Sequence, residues 1–234
     1  MLKRTSPAGL RDLGGRSIPV RVRANRMARR IILQIDRDND GVILTLPKWA
    51  KESDALALLE ERAEWVCAHL DALPARVPFV DGTAVPYLGE CYTLRHDPSS
   101  RGIAREGGQI RISGRPEHLP RRYTDWLRRQ AKAEITSRAH PLAERIGVRV
   151  RRITVRDTKS RWGSCSSGGN LSFSWRLVMA PEWIMDYVVA HEVAHLRHAN
   201  HGPTFWALVA ELCSDPKAAR TWLNKNAQRL HRIG

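Results

Sequence analysis

Two histidines and a glutamate near the C-terminal end of the chain have the spacing that metal-dependent hydrolysis requires. Residues 190–195 read Ala-His-Glu-Val-Ala-His, which contains an H-E-x-x-H motif. Side chains four apart on an α-helix share a face, so the imidazoles of His191 and His195 can bind one ion. Glu192 projects beside such an ion, where its carboxylate can accept a proton from a metal-bound water. By average residue usage, a chance match is expected in fewer than roughly one in a hundred chains of this size.

The third ligand must come from the histidines that follow the motif. In a straight helix His198 would lie about 10 Å along the axis from His191, too far to share a tetrahedral ion whose bonds to nitrogen are about 2 Å long. Asn200 can adopt the left-handed conformation that ends a helix, and the Gly-Pro pair at 202–203 delays the next helix. The chain can therefore turn back and bring His201 to the open side of the metal. We expect this three-histidine site to bind one Zn²⁺ per chain, with water in the fourth position and no other cofactor.

Hydrophobic periodicity and turn residues predict the elements that position this site. Pro181 suits a first helical position, and apolar residues at helical spacing follow it, which predicts the helix that carries the motif. Alternating apolar and polar residues predict short strands upstream. The predicted strands cover residues 18–25, 29–36, 42–46, 85–88, 91–95, 109–113, 149–156 and 170–175. The other predicted helices cover residues 53–70, 120–138 with an interruption at 140–141 and a continuation to 146, 203–212, and 218–230.

These elements give an α+β class, with a β-rich N-terminal half and a C-terminal half that contains the motif helix. We expect a basic flexible tail over residues 1–17 and a β-rich region with one helix over residues 18–118. The catalytic region is expected over residues 119–234. Residues 159–167 are rich in small side chains and are predicted to form a loop.

Composition describes a globular chain of 234 residues, with 42% hydrophobic and 27% charged residues. No apolar run approaches the length of a membrane span, and residues 1–15 lack the hydrophobic core of a signal peptide. Four cysteines are widely scattered without a C-x-x-C pair, which favours reduced thiols. We therefore expect a cytoplasmic protein without a membrane partner.

The net charge of +15 is distributed unevenly. Residues 1–30 carry nine Lys or Arg against one acidic residue, and residues 101–161 carry seventeen against six. A basic surface attracts polyanions, so a nucleotide or nucleic acid is a candidate partner. The alternative is an arginine-rich, solvated surface without a binding role. The stretch 149–161, whose charges alternate with apolar residues, is the part we favour as functional.

A series of motifs from residue 161 onward carries a family resemblance. They are Arg161-Trp162-Gly163-Ser164-Cys165, Leu171, Trp175-Arg176-Leu177, Ala180-Pro181, Asp186-Tyr187-Val188-Val189, the H-E-x-x-H motif, Asn200-His201 and Phe205-Trp206. In this order they strongly resemble the YgjP-like metallopeptidase-domain family, relatives of the SprT-like zincins. The likeness covers nearly the whole chain from about Val20 and includes Pro86-Tyr87-Leu88-Gly89.

The resemblance implies a zincin-like catalytic half, in which a small twisted sheet packs on the metal helix. It also implies His191, His195 and His201 as the metal ligands and Glu192 as the catalytic carboxylate. Gly202 stands where this family often has Ser, which affects hydrogen bonds around the ligands. Ser174 similarly stands where Asn is common. Metzincin proteases share the histidine spacing but have Gly at the position of His198, and no Met-turn sequence follows here.

Five further side chains are assigned supporting roles. Arg176 and Tyr187 are candidates for contacts to the substrate or to the transition-state oxyanion. Their alternative roles are a structural salt bridge and a core aromatic. Trp162 and Trp175 are expected to form the wall of the site. Cys165 is expected to do the same, and its alternatives are a fourth metal ligand or a redox thiol.

The favoured function is a zinc-dependent metallopeptidase that acts on a peptide or protein through a zinc-bound water, with Glu192 as general base. One alternative is a metal-dependent hydrolase of nucleotide phosphoanhydrides, of the nucleoside triphosphate pyrophosphatase type. The arginines just ahead of the site could then bind a polyphosphate. A second alternative is a SprT-like protease that acts on nucleic-acid-associated proteins.

Overall fold

A computed structural model describes residues 9–234 and confirms the mixed α+β class. Sheets fill the N-terminal half and helices dominate the C-terminal half. The chain divides into two compact units, residues 1–74 and residues 75–234, each with its own hydrophobic core. Among the described residues, no helix is both long enough and apolar enough to cross a membrane.

The first unit is a four-stranded sheet covered by two short helices. Its strands are β1 (Gly9–Leu13), β2 (Arg16–Ala24), β3 (Ile32–Asp36) and β4 (Gly41–Leu46), in the order β1-β2-β4-β3. The helices are α1 (Glu52–Glu61) and α2 (Ala63–Asp71). Together these two cover the segment predicted as one helix, which the structure interrupts at Arg62.

The tail expected over residues 1–17 lies partly outside the described residues, which begin at residue 9. From there the chain forms β1 and the start of β2, which pair antiparallel through a tight hairpin. Gly14 and Gly15 supply the positive φ angles of 63° and 84° that such a turn needs. The amide of Gly15 donates to the Asp12 carboxylate across the turn (3.0 Å). The sequence did not predict this hairpin, because apolar and polar residues do not alternate regularly in its first strand.

The second unit begins with a four-stranded sheet packed on a long helix. The strands β5 (Ala84–Tyr87), β6 (Glu90–His96), β7 (Ile103–Glu106) and β8 (Gln109–Ile112) lie in the order β5-β6-β8-β7. The helix α3 (Leu119–Arg145) follows. Ile110 from this sheet belongs to the same buried cluster as Leu127 from α3. The compact units therefore divide after Pro74 rather than at the expected boundary between residues 118 and 119.

Helix α3 continues through Pro141, where the sequence predicts an interruption. A proline inside a helix removes one hydrogen bond and costs about 3 kcal/mol. The buried stripe of α3 runs on both sides of this position, through Ile135, Ala139 and Ala143. Packing of that stripe keeps the helix continuous across the proline.

A three-stranded sheet and three helices complete the second unit. The strands are β9 (Arg152–Arg156), β10 (Gly163–Cys165) and β11 (Asn170–Ser174), in the order β10-β11-β9. The helices are α4 (Glu182–Ala194), α5 (Pro203–Leu212) and α6 (Pro216–His231). Helix α4 packs against α3, α5, α6 and β10, and its residues are buried on most sides. Arg138 on α3 donates to Asp186 on α4 (2.7 Å) and fixes the two helices together.

Two strands near the site differ from their predicted bounds. Strand β9 begins at Arg152 rather than at residue 149, and Arg149 and Arg151 precede it as exposed residues. Strand β10 lies inside the segment predicted as a loop. Its Gly, Ser and Cys residues have weak intrinsic strand preference, so only pairing with β11 defines it.

Candidate metal centre

The three predicted imidazoles meet at the end of α4. His191 lies in the last turn of this helix, His195 caps its C-terminus, and His201 lies in the loop before α5. One ring nitrogen from each lies within 4.8 Å of the others, and Nε2 of His191 is 3.2 Å from Nε2 of His201. Two nitrogens on a tetrahedral zinc ion are about 3.3 Å apart, given bonds of about 2.0–2.1 Å. The donor set therefore fits a zinc-sized ion with an open fourth position.

The loop that delivers His201 turns in a different way from the predicted one. The helix ends at Ala194, and the amides of Arg197 and His198 both donate to its carbonyl (3.1 and 2.9 Å). Asn200 is not in the left-handed conformation, which was the expected cause of the turn; among described non-glycine residues only two others have positive φ. The prediction for Asn200 was wrong, because the tight bonds to Ala194 already close the helix.

Hydrogen bonding orients His195 towards the cluster. Its Nδ1–H donates to the backbone carbonyl of His198 (3.2 Å), so Nε2 is the nitrogen that remains for a metal. A ligating histidine commonly donates its other N–H to a carbonyl, which fixes the tautomer. His198 therefore contributes through its backbone, and its imidazole is not among the three grouped in the described part of the chain.

Aromatic side chains from α5 surround the cluster. The Phe205 ring lies 4.5 Å from that of His195, and the Trp206 ring stacks on that of His201 at 5.6 Å. Burial lowers the pKa of His191 to about 4, with further lowering by the neighbouring imidazoles. Burial also lowers the pKa of His195. Both shifts favour the neutral imidazole, which is the form that binds a metal.

Glu192 is buried beside the cluster and packs directly against β10. A Cβ atom added to Gly163 would lie 2.5 Å from both Cγ and Oε1 of Glu192. Only glycine leaves room for the carboxylate at this place. Burial raises the pKa of Glu192 to about 7, and the nearby Arg161 opposes this increase. A carboxylate with this pKa can take up and release a proton near neutral pH.

A cavity of about 280 Å³ opens next to His191 and Glu192. One side is formed by Tyr187, and α6 provides the opposite wall. The lining residues from α6 are Arg220, Leu223, Asn224 and Ala227. Sequence reasoning missed this wall, since nothing in the local pattern of α6 indicates which face meets the site.

The free edge of β10 borders this cavity through Gly163. The carbonyl of Trp162 accepts from Ser174 (2.8 Å), and the amide of Ser166 donates to Asn170 (2.9 Å). Hydrogen-bonded and non-hydrogen-bonded pairs alternate in an antiparallel ladder, so the N–H and C=O groups of Gly163 and Cys165 point away from β11. Among the strands of residues 9–234, none pairs with this outer edge.

Arg176 and Tyr187 occupy different environments. The buried Arg176 guanidinium donates to Asp157 (3.1 Å) and to the carbonyls of Leu230 (3.0 Å) and Ile233 (2.5 Å). These contacts match its alternative role as a structural ion pair. Tyr187 is buried but lines the cavity, and burial raises its pKa to about 12. Its hydroxyl is therefore protonated at neutral pH.

Of the three expected wall residues, Trp162 lines the cavity, whereas Trp175 and Cys165 are not among its described lining residues. Trp162 stacks on His231 at 5.0 Å, and Trp175 is buried beneath the Arg176 guanidinium at 4.4 Å. Cys165 is partly buried on β10 and is not part of the histidine group. Burial and the nearby Glu192 raise the pKa of its thiol, which disfavours the thiolate.

Comparison with known proteins gives one family match. The sequence model described as "YgjP-like, metallopeptidase domain" matches residues 29–226. No curated protein matches the chain. One solved structure with local similarity is the zymogen of the metallopeptidase abylysin from Pyrococcus abyssi, with 19% identity and a TM-score of 0.36. That match covers 42% of this chain and 97% of the other.

Proposed function

The chain belongs to the YgjP-like metallopeptidase-domain family, and on that premise we propose that it is a zinc-dependent peptidase with a zincin-like catalytic half. His191, His195 and His201 would hold one Zn²⁺ per chain. The observation that carries the proposal is the convergence of their nitrogens within 4.8 Å, beside a buried carboxylate on the same helix. When bound, the ion would supply Lewis acidity, which polarises a carbonyl and makes water a stronger acid.

Glu192 acts as general base in this proposal. Its carboxylate takes the proton from the attacking water and later delivers it to the nitrogen of the leaving amine. The pKa of about 7 suits both steps, because neither protonation state is strongly favoured near neutral pH. Contact with Gly163 limits where the carboxylate can lie and so keeps it next to the histidines.

The outer edge of β10 is proposed to bind the substrate backbone. An extended peptide can add to a free strand edge by main-chain hydrogen bonds, with its side chains alternating between the two faces. The outward N–H and C=O groups of Gly163 lie closest to Glu192. A substrate side chain can then enter the cavity between Tyr187 and α6. Tyr187 has the protonated hydroxyl that a transition-state donor needs.

The cavity favours a peptide over a nucleoside triphosphate. Among the described residues that line it, Arg220 is the one cationic side chain, and Leu223, Val188 and Ala227 are apolar. A polyphosphate carries several charges and needs several cationic donors. Hydrolysis of a nucleotide phosphoanhydride is therefore the alternative that the test must exclude. The other alternative, a SprT-like protease, also cleaves a protein, so it is compatible with peptide cleavage.

The test measures the zinc-loaded protein in parallel on a mixed peptide library and on a nucleotide panel. Glu192→Gln serves as the blank, and Glu182→Gln is the matched control, because Glu182 is exposed in the first turn of the same helix. We expect peptide cleavage that Glu192→Gln abolishes and Glu182→Gln retains, with one zinc per chain in all three proteins. Hydrolysis of nucleotides that requires Glu192, without peptide cleavage, would overturn the proposed substrate.

A further inference from the structure

A second concave surface lies at the edge of the three-stranded sheet that is formed by β9, whereas the metal centre lies near β10 at the other edge. This α3–β9 groove has a volume of about 840 Å³ and runs between helix α3 and strand β9. Strand β9 is the edge strand opposite β10, so the groove and the proposed peptide site lie on different edges of one sheet. None of the residues that line the groove lines the cavity beside Glu192.

Within residues 9–234, every ionisable side chain that lines the groove is a cation. Arg128, Arg129 and Lys132 project from α3, and Arg152 projects from β9. All four are exposed. Arg128 is 3.9 Å from Asp125, whereas no carboxylate in the described part of the chain pairs with the other three. The groove therefore concentrates positive charge without internal compensation.

Main-chain donors add to these cations. On β11 the carbonyl of Asn170 and the amide of Ser174 bond to the β10 side, so Leu171 and Phe173 turn their backbone groups towards β9. In the parallel register these groups bond to the backbone of Arg152, Thr154 and Arg156, so the N–H groups of Ile153 and Val155 face the outer edge of β9. The Thr136 hydroxyl also lines the groove. Phosphate oxygens accept hydrogen bonds from all of these groups.

We propose that the α3–β9 groove binds the phosphate backbone of double-stranded nucleic acid. From Arg128 to Thr136 the donors extend over about 12 Å of helix α3. A duplex carries about one phosphate charge per 1.7 Å of its axis, counting both strands, so several charges occur over that length. An extended acidic peptide presents one side chain to a given face only about every 6.6 Å, so it matches the cations less well.

The lining also indicates the manner of binding. No aromatic side chain occurs among the lining residues, all of which belong to the described part of the chain, so bases have no ring on which to stack. Single-stranded nucleic acids are commonly bound by such stacking. Binding in the groove therefore relies on backbone charge and does not read sequence. The net charge of +15 adds long-range attraction to the same ligand.

The experiment measures binding of a short, fluorescently labelled DNA duplex of mixed sequence by anisotropy over a range of salt concentrations. The groove variant combines Arg129→Gln, Lys132→Gln and Arg152→Gln. The control variant combines Lys217→Gln, Lys225→Gln and Arg229→Gln on α6, which are exposed and outside both concave surfaces. Both variants lower the net charge by the same amount, and thermal unfolding checks that each is folded.

The expected result follows from counterion release. With four phosphate contacts, the wild-type affinity should fall about a hundredfold between about 50 and 200 mM salt. Losing three contacts should lower the slope of log K against log salt by about 2.7, whereas the control should keep the wild-type slope. An unchanged slope in the groove variant would overturn the proposal. Equal losses in both variants would overturn it too, since binding would then depend on overall charge.

A polyglutamate peptide serves as the competing polyanion. If it binds in a manner that needs the groove cations while the duplex does not bind, the partner is an acidic protein and the proposal is wrong. The measurement uses the whole chain without peptide substrate, so its outcome does not depend on the proposed peptidase activity. The groove variant should cleave the test peptide at the wild-type rate.

Discussion

Gly163→Ala is the sharpest test of how the candidate base is held. The added methyl group would lie 2.5 Å from Cγ and from Oε1 of Glu192, and 2.7 Å from its carboxylate carbon. Ordinary carbon contacts are about 3.5 Å or longer, so the side chain must move by about 1 Å. A 1 Å misplacement of a catalytic group can cost about a hundredfold in rate. The strand itself tolerates alanine, because φ of Gly163 is not positive.

The assay is peptide cleavage by zinc-loaded protein, with metal content measured on the same samples. We expect kcat/KM to fall about a hundredfold in Gly163→Ala, while one zinc per chain is retained because no ligand is touched. An off-rotamer side chain should lower the free energy of unfolding by about 1 kcal/mol. Gly168→Ala is the matched control, since its nearest contact would be an ordinary 3.4 Å to Asn170 and its φ is also not positive.

A double-mutant cycle isolates the contact. In a Glu192→Ala background the clash is absent, so adding Gly163→Ala should no longer lower stability. The coupling free energy between positions 163 and 192 should then account for most of the stability that Gly163→Ala loses by itself. Wild-type activity in Gly163→Ala would refute the reasoning, because the base would then not depend on this contact.

The other predictions concern the ligands, the thiol and the core. His201→Ala should weaken zinc binding while His198→Ala retains it, as measured by metal content after dialysis; equal retention would remove His201 from the ligands. Cys165→Ser should keep both metal and activity, and loss of stoichiometric zinc would assign the thiol to the metal. The buried Tyr123 hydroxyl has no hydrogen-bond partner among the described residues, so Tyr123→Phe should raise the free energy of unfolding by about 1 kcal/mol in chemical denaturation. Burial also raises the pKa of Tyr123 above its usual value of 10. The folded state that needs the protonated hydroxyl is therefore destabilised as pH rises above 10. The free energy of unfolding of the phenylalanine variant should fall less over the same increase in pH. Tyr87→Phe, which removes a bond to Gln130 (3.4 Å), should give no such gain.

The sequence was most informative where the chemistry is local. The pairing of His191 and His195 could be predicted from helical periodicity. The approach of His201 was also predicted, although the turn that brings it there differs from the expected one. Glu192 followed from the same helical periodicity as the first two histidines. Its contact with Gly163 could not be predicted, because it joins a helix to a strand whose own residues suggest a loop. Such a strand is defined by its partner rather than by propensity.

The wall of the cavity and the limits of the units depend on contacts distant in sequence. Arg220 and Asn224 reach the cavity only because α6 packs against α4. A helical pattern indicates which face of a helix is apolar, but it does not indicate which element packs against that face. The sheet of residues 84–112 was similarly grouped with the strands that precede it. Its inward residues in fact share a core with α3.

The order in which the parts of the site occur along the chain has a consequence for how the site is assembled during synthesis. The three imidazoles occur within residues 191–201, so a chain that has not yet folded still carries all of them close together. Strand β10, which leaves space for the Glu192 side chain, is synthesised before the histidines. Helix α6, which forms part of the cavity wall, is synthesised after them. On the proposed function, a nascent chain can therefore bind zinc before the substrate cavity has formed. Affinity of the unfolded chain for zinc would also reduce the stabilisation that the ion gives to the folded protein.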